Sequence, residues 1–376
     1  MWIEELSNGK YKFIERYRDP LTEKLKRVSI SLNSNSNRAK KEAQRMLNDK
    51  IDKALNKREL VQKNLTFFEV YEQLKPIYEK QVKWSTYFST MQVLDSFIKL
   101  VGKDVLIQKM TSHYLTEKLE NLIYGERQLS NRSVSLIKSK LNVVFQFAKR
   151  RGYIIDNPIE KVEIRYSRNQ DSKTKTKFLE DDEYKKLIDY TKQINIRYAL
   201  LFEFLYYTGL RAGEAISLTE NDVLVDENGV YIVVSGTLEY KGKKITEQVK
   251  SSSTKTSAGM REVDLPQNAI KLLEKMAHLN AETSPEYIFS TNKGTPIQIT
   301  AINTFLRKAK EALKIDKQVS SHIFRHTHVS KLAELGTPLF AIQDRVGHEN
   351  SKITEQIYLH VTKGVREKMR RDIERL

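Results

Sequence analysis

Arg211, His322, Arg325, His348 and Tyr358 are the side chains of this sequence whose types and order could act on a phosphate. Two guanidiniums can clamp a phosphate through forked hydrogen bonds, two imidazoles can hold or move protons, and a phenol can serve as a nucleophile. Together they describe transfer of a backbone phosphoryl group onto a tyrosine. Each also has a plainer reading. Arg211 could make only a structural ion pair, and Tyr358, between Ile357 and Leu359, would on its own be a core residue. A phenol with a pKa of about 10 is a poor nucleophile at neutral pH, so it needs cations around the phosphate and a proton acceptor. The upstream residues are of the types that meet both needs.

The local settings sharpen this. Arg211 follows an apolar helical stretch, Tyr198 to Tyr207, and a Thr208-Gly209 break, a junction from which a side chain can be aimed at a ligand. If a helix starts there, Glu214, three residues on, can cap backbone amides or orient the guanidinium, and a buried Arg needs such a partner. His322 and Arg325 are three positions apart, which on a helix puts them on one face. His322, His326 and His328 also invite a metal reading, because a four-residue step can share one ion. The chain has no Cys and no Glu between that His pair, so His326 reads better as a packing or supporting residue. Gly336-Thr337-Pro338 predicts a helix stop, an N-cap and a first-turn Pro, hence helix, turn and helix from Phe324 to Val346. The second of these helices, Pro338 to Val346, is too apolar to read a DNA groove and is expected in the core. His348 follows Gly347 in a turn.

The order Thr208-Gly209-Leu210-Arg211-Ala212-Gly213-Glu214, His322-Ile323-Phe324-Arg325-His326, Gly347-His348 and Tyr358 resembles that of the tyrosine recombinase family, also called phage integrases, over most of the chain. The resemblance implies that Tyr358 attacks the scissile phosphate, leaves a 3′-phosphotyrosyl link and frees a 5′-hydroxyl. It implies a general acid as well, a Lys on a β-hairpin. Lys255-Thr256 with Arg261 and Leu265-Pro266 matches the Lys-Thr-x-x-x-x-Arg-x-x-x-Leu-Pro style of that segment, which assigns Lys255; Lys250 stays an alternative because hairpin lengths vary. No cofactor is expected, since the covalent link conserves the energy of the broken phosphodiester, and no metal, since Arg and His supply the electrostatics.

The family further implies double-stranded DNA as partner at core and arm sites, and a homotetramer on DNA. An accessory DNA-bending protein and a directionality factor are further candidate partners. The implied role is site-specific recombination that integrates and excises a mobile element, from a temperate phage or a conjugative element. Relaxation of supercoils by a type IB topoisomerase mechanism and a non-catalytic DNA-binding regulator are the competing functions.

The bulk properties point the same way. Across 376 residues, 65 Lys and Arg stand against 48 Asp and Glu, a net charge of +17 that favours a polyanionic partner. The absence of Cys excludes disulfides, thiolate nucleophiles and cysteine zinc sites. There is no P-loop or dinucleotide fingerprint, no apolar run of the ~18 residues a membrane span needs and no signal-peptide core, so a cytoplasmic protein is expected.

Several domains must position these residues. The expected fold is multidomain and mainly α with small β-sheets. Residues 1–60 alternate at Tyr11, Phe13 and Tyr17 and again at Val28, Ile30 and Leu32, and then show helical spacing from Ala39 to Leu55. They read as a small sheet plus one helix, which the resemblance makes an arm-site DNA-binding domain. Residues 61–164 read as a four-helix, core-type DNA-binding domain closed by Lys149-Arg150-Arg151-Gly152. Residues 165–177 are basic and bury almost nothing, a linker suited to lie along phosphates. Residues 178–376 form the catalytic domain, mainly helical with a small sheet between Val230 and Leu265. Its last apolar positions, Val365, Met369 and Ile373, form a stripe for docking on a neighbouring protomer or on the same chain.

Overall fold

Two packing patterns, a half-buried sheet and apolar helix stripes, account for the first half of the chain. The structure, a computed structural model, describes residues 1–19, 22–56, 64–168, 178–251, 260–347, 352–361 and 373–374. It divides into two compact units, Met1–Asn169 and Gln170–Leu376.

In the first unit, strands β1 (Trp2–Glu5), β2 (Tyr11–Arg18) and β3 (Leu25–Leu32) form an antiparallel sheet in the order β1-β2-β3. The alternation in β2 and β3 is the expected one; β1 adds a third strand, with Trp2 opposite Ile14. Helix α1 (Asn37–Asn56) buries Ala43 and Leu47 against Phe13 and Ile30, and Ser36 Oγ accepts the Ala39 amide at its start. A separate core follows in helices α2 (Phe67–Gln81), α3 (Trp84–Val101), α4 (Ser112–Tyr124) and α5 (Asn131–Arg150). Their stripes Phe67-Val70-Tyr71-Leu74, Met91-Leu94-Phe97-Ile98, Leu115-Leu119-Leu122 and Leu141-Val144-Phe145 converge in one buried cluster. Helices α2, α4 and α5 begin where the sequence offers capping oxygens, Thr66, Thr111 and Ser130. Gly152 at φ 71 ends α5. Residues 165–168, where the linker was expected to begin, are tied to α4 and α5: Arg165 N–H donates to Glu120 Oε1 at 2.8 Å, and Asn131 bonds Ser167 through both amide atoms.

The second unit opens on α6 (Asp181–Ile194) and α7 (Ile196–Thr208), continues through the one-turn α8 (Ala212–Ala215), and then forms a sheet of β4 (Val223–Asp226), β5 (Gly229–Val234) and β8 (Arg261–Asp264) in that order. A second, two-stranded antiparallel sheet is formed by β6 (Thr237–Glu239) and β7 (Val249–Ser251). Helices α9 (Gln267–Asn280), α10 (Ile299–Ala312), α11 (His322–Glu334), α12 (Leu339–Val346) and α13 (Lys352–Val361) complete the unit. The helix, turn and helix from Phe324 to Val346 is present, with one shift. Pro338 is the residue before the helix rather than its first turn, because its ψ of 143 is extended. Ile342 and Val346 of α12 are buried as expected. No helix among the described residues is long and apolar enough to cross a membrane. The expected docking stripe lies outside the described residues except at Ile373, which is exposed.

Candidate active site

Helix α7 is apolar on nearly every side, and it sits in the middle of the unit's core with Leu201, Phe202, Phe204 and Leu205 buried. It ends at Gly209, whose φ of 69 is left-handed and whose N–H returns to Leu205 O at 2.9 Å. A side chain at 209 would also collide with His328, since a Cβ there would lie 2.4 Å from its Cδ2. The chain leaves this turn extended at Arg211 and re-enters a helix at Ala212. Arg211 N–H donates to Glu214 Oε2 at 2.9 Å and Arg211 Nη1 donates to Glu214 Oε1 at 2.6 Å. Both roles read for Glu214 in the sequence, capping the backbone and orienting the guanidinium, are therefore filled at once.

Glu214 is only 5% exposed and also receives Arg261 Nη2 at 3.0 Å. Burial alone would push its carboxyl pKa up; the Arg261 and Arg211 charges and hydrogen bonds overcome that and hold it below the usual value. Arg325, on α11, is 2% exposed. Its Nη1 donates to Gly209 O at 2.7 Å and its Nη2 to Val346 O. Its Nε has no hydrogen-bond partner among the described residues. Burial, then the Arg211 charge, lowers its pKa, though a guanidinium remains charged at neutral pH. His322 opens the same helix. It is exposed overall, yet enough protein surrounds its ring for desolvation to be the first influence lowering its pKa, with Arg325 and Arg211 pushing the same way and Glu214 opposing. Arg211, His322 and Arg325 are thus gathered into one electrostatic neighbourhood from two distant stretches of sequence.

Gly347 takes a left-handed φ of 64 and closes α12, and its carbonyl accepts Arg211 Nη2 at 3.1 Å. His348 comes next in the chain and, like Lys255, lies outside the described residues. Tyr358 is on α13. It is half-buried against a small core of Phe178, Val329, Ala333, Ile342, Val346 and Ile357, which joins α13 to α11 and α12. Lys250, the alternative acid, is engaged elsewhere: its Nζ lies 2.6 Å from Asp222 Oδ1 and its N–H donates to Tyr287 Oη at 3.2 Å.

Residues 177–364 match the Phage integrase family, and over 97% of its length the chain is 37% identical to the prophage ps2 probable integrase of Lactococcus lactis subsp. lactis strain IL1403, 97% of which is covered. The chain belongs to the phage integrase family. As a tyrosine recombinase it is an enzyme that cleaves and rejoins DNA in the site-specific recombination of mobile elements. Among solved structures, the integrase of transposon Tn1549 in complex with a circular intermediate DNA is similar at a TM-score of 0.65 and 20% identity, covering 82% of this chain and 99% of that one. A lambda integrase tetramer bound to a Holliday junction is similar at 0.59 and 20% identity, covering 94% of each chain. These likenesses extend the shared fold beyond residues 177–364.

For this integrase the metal reading of the histidine cluster loses one of its ligands. His328 is 7% exposed, its Nδ1 lies 2.7 Å from Tyr206 O, and its Nε2 accepts Arg345 Nε at 3.2 Å, so both ring nitrogens are occupied. Among the described residues, no group of three or more His, Cys, Asp or Glu could hold an ion. Three residues of this neighbourhood carried no role in the sequence reading: Arg261, His328 as a packing and hydrogen-bonding residue, and Arg345. Arg261 had a usable signal, the fixed Arg of the Lys-Thr-x-x-x-x-Arg segment. Arg345 had none, because its side chain bonds the backbone carbonyl of Asp264 and the ring of His328.

Proposed function

We propose that Tyr358 is the nucleophile and that Arg211 and Arg325 clamp the scissile phosphate, with His322 and His348 beside them and Lys255 as the general acid. In the cleavage step the Tyr358 oxygen bonds to phosphorus and the bond from phosphorus to the 5′ oxygen breaks. The phenolic proton passes to a base, for which His322, held neutral by burial and by the Arg325 and Arg211 charges, is the candidate, and Lys255 protonates the departing 5′ oxygen. Attack of a 5′-hydroxyl on the phosphotyrosine reverses these transfers and rejoins the strand without ATP. The observation that carries this reading is the anchoring of both arginines to neighbouring carbonyls, Val346 and Gly347, at the end of the segment that continues to His348 and to α13. Occupation of Lys250 by Asp222 supports Lys255 as the acid.

The substrate is double-stranded DNA, and the N-terminal sheet is the proposed arm-site reader. Its face away from α1 carries Lys12, Arg16, Arg18 and Arg27, and Arg16 stands directly opposite Arg27 with both cations over the Trp2 ring, at 5.1 and 5.9 Å from its centroid. Facing like charges disfavour pairing unless an anion or a π-face offsets them. The four-helix stretch is the core-site domain, and the working assembly is a tetramer on DNA, as in the lambda integrase complex. Integration and excision of a mobile element, with bending and directionality factors as partners, complete the reading.

The test is Tyr358→Phe on a nicked suicide substrate. Covalent protein–DNA adducts are expected to vanish while DNA binding is retained; persistence of adducts would remove Tyr358 from the mechanism. In parallel, Lys255→Ala should slow cleavage far more than Lys250→Ala does.

A further inference from the structure

Three successive carbonyls at the end of α12 each accept from a different arginine. Arg345 O receives Arg261 Nε at 2.7 Å, Val346 O receives Arg325 Nη2, and Gly347 O receives Arg211 Nη2 at 3.1 Å. A helix C-terminus concentrates unpaired carbonyls and the negative end of the helix dipole, so it suits guanidiniums. Two of these arginines form the proposed phosphate clamp. The third, on β8, is 7% exposed and divides its fork between α12 and Glu214, with Nη2 3.0 Å from Glu214 Oε2.

That division matters for charge. Arg211 lies 2.6 Å from the same carboxylate, and a one-to-one pair of Arg211 with Glu214 would cancel much of the field Arg211 offers a phosphate. With Arg261 as a second cation on Glu214, the trio keeps a net positive charge. Arg261 also fixes the end of α12, from which the other two arginines take their orientation.

We propose that Arg261 is a positioning residue for strand cleavage, which shares Glu214 with Arg211 and holds the α12 terminus so that Arg211 keeps its aim and its charge for the scissile phosphate. Arg261 does not itself touch the DNA. This rests on Arg211 acting as the clamp.

The test is single-turnover cleavage at saturating DNA by the full chain, comparing Arg261→Met and Arg261→Lys with the parent on two suicide substrates. One carries the natural scissile phosphate. The other carries a methylphosphonate, in which a methyl group replaces one non-bridging oxygen and the charge to be clamped is gone. On the phosphate, Arg261→Met should be about 10- to 100-fold slower than the parent, the usual size of a supporting-residue effect. On the methylphosphonate it should come within about threefold of the parent. Arg261→Lys should fall between, because it keeps the charge without the planar fork. A merely structural defect slows both substrates alike, so equal slowing, or no slowing on the phosphate, overturns the proposal. If Arg261→Met does not fold, the ratio of the two rates for Arg261→Lys decides. Arg211→Ala is the separate control: if it fails to discriminate the substrates, the clamp assignment falls whatever Arg261 does.

Discussion

Replacing Glu214 by Gln removes one negative charge and little volume from a place where two guanidiniums converge. The carboxylate is 5% exposed and takes Arg211 Nη1 at 2.6 Å, the Arg211 N–H at 2.9 Å and Arg261 Nη2 at 3.0 Å. A Gln oxygen in the place of Oε2 can keep the bonds from the Arg211 N–H and Arg261 Nη2, but its NH2 group, in the place of Oε1, then faces Arg211 Nη1 donor to donor. Breaking a buried ion pair from one side costs about 3–5 kcal/mol, because the remaining charge is left uncompensated. Arg211 is 34% exposed and can recover some hydration, whereas Arg261, at 7%, cannot, which favours the lower end, about 3 kcal/mol. For a unit of this size 1 kcal/mol moves Tm by roughly 2–4 °C, so a fall of about 6–12 °C is expected in calorimetry at pH 7. The pH dependence follows from the sign of the shift. The folded carboxyl lies below its ordinary value of 4.5, so its contribution is complete above that value and is lost as pH falls through the folded pKa. The gap in Tm between parent and Glu214→Gln should therefore be full at neutral pH and close in acid. A loss under about 2 °C at pH 7, or a gap that does not change with pH, would refute the reasoning.

Three further outcomes follow from the same neighbourhood. Gly209→Ala forces a left-handed φ of 69 on an alanine and drives its Cβ toward His328, and should destabilise by at least about 1–2 kcal/mol in urea unfolding. His328, which burial and then the Arg345 charge push down to about 3, is protonated in the unfolded chain below its ordinary value of 6.5 but stays neutral when folded. Its contribution is full above 6.5 and should erode as pH falls, at up to about 1.4 kcal/mol per pH unit; His328→Asn should flatten that slope in unfolding curves taken from pH 7 to 4. Ile357→Ala opens the small core beneath α13 and should cost about 2–4 kcal/mol, with suicide-substrate cleavage falling more than DNA binding measured by gel shift.

Helices α1 to α5 were legible because their apolar residues repeat at three- and four-residue steps, whereas in the second unit only α7 and the α11–α12 pair were placed individually, from an apolar run ended by Thr208-Gly209 and from the Gly336-Thr337-Pro338 break. The N-terminal sheet was legible in β2 and β3, where apolar residues alternate at Tyr11, Phe13 and Tyr17 and at Val28, Ile30 and Leu32, and missed in β1, which has only four residues and a mixed pattern. The sequence by itself also determined the chemical vocabulary: no thiol, an excess of cations, and Arg, His and Tyr residues of the types a phosphotyrosyl mechanism uses, in an order that resembles the family's. Tertiary structure alone decided how those groups are held. Arg261, Arg325 and Arg211 converge on three consecutive carbonyls of α12, and Phe178 meets Ile357 in a core beside Tyr358. Neither fact leaves a local trace, because a backbone carbonyl has no letter in the sequence and a contact across more than a hundred residues has no period. Spacing along the chain reports which face a residue occupies; only the packed fold determines what that face meets.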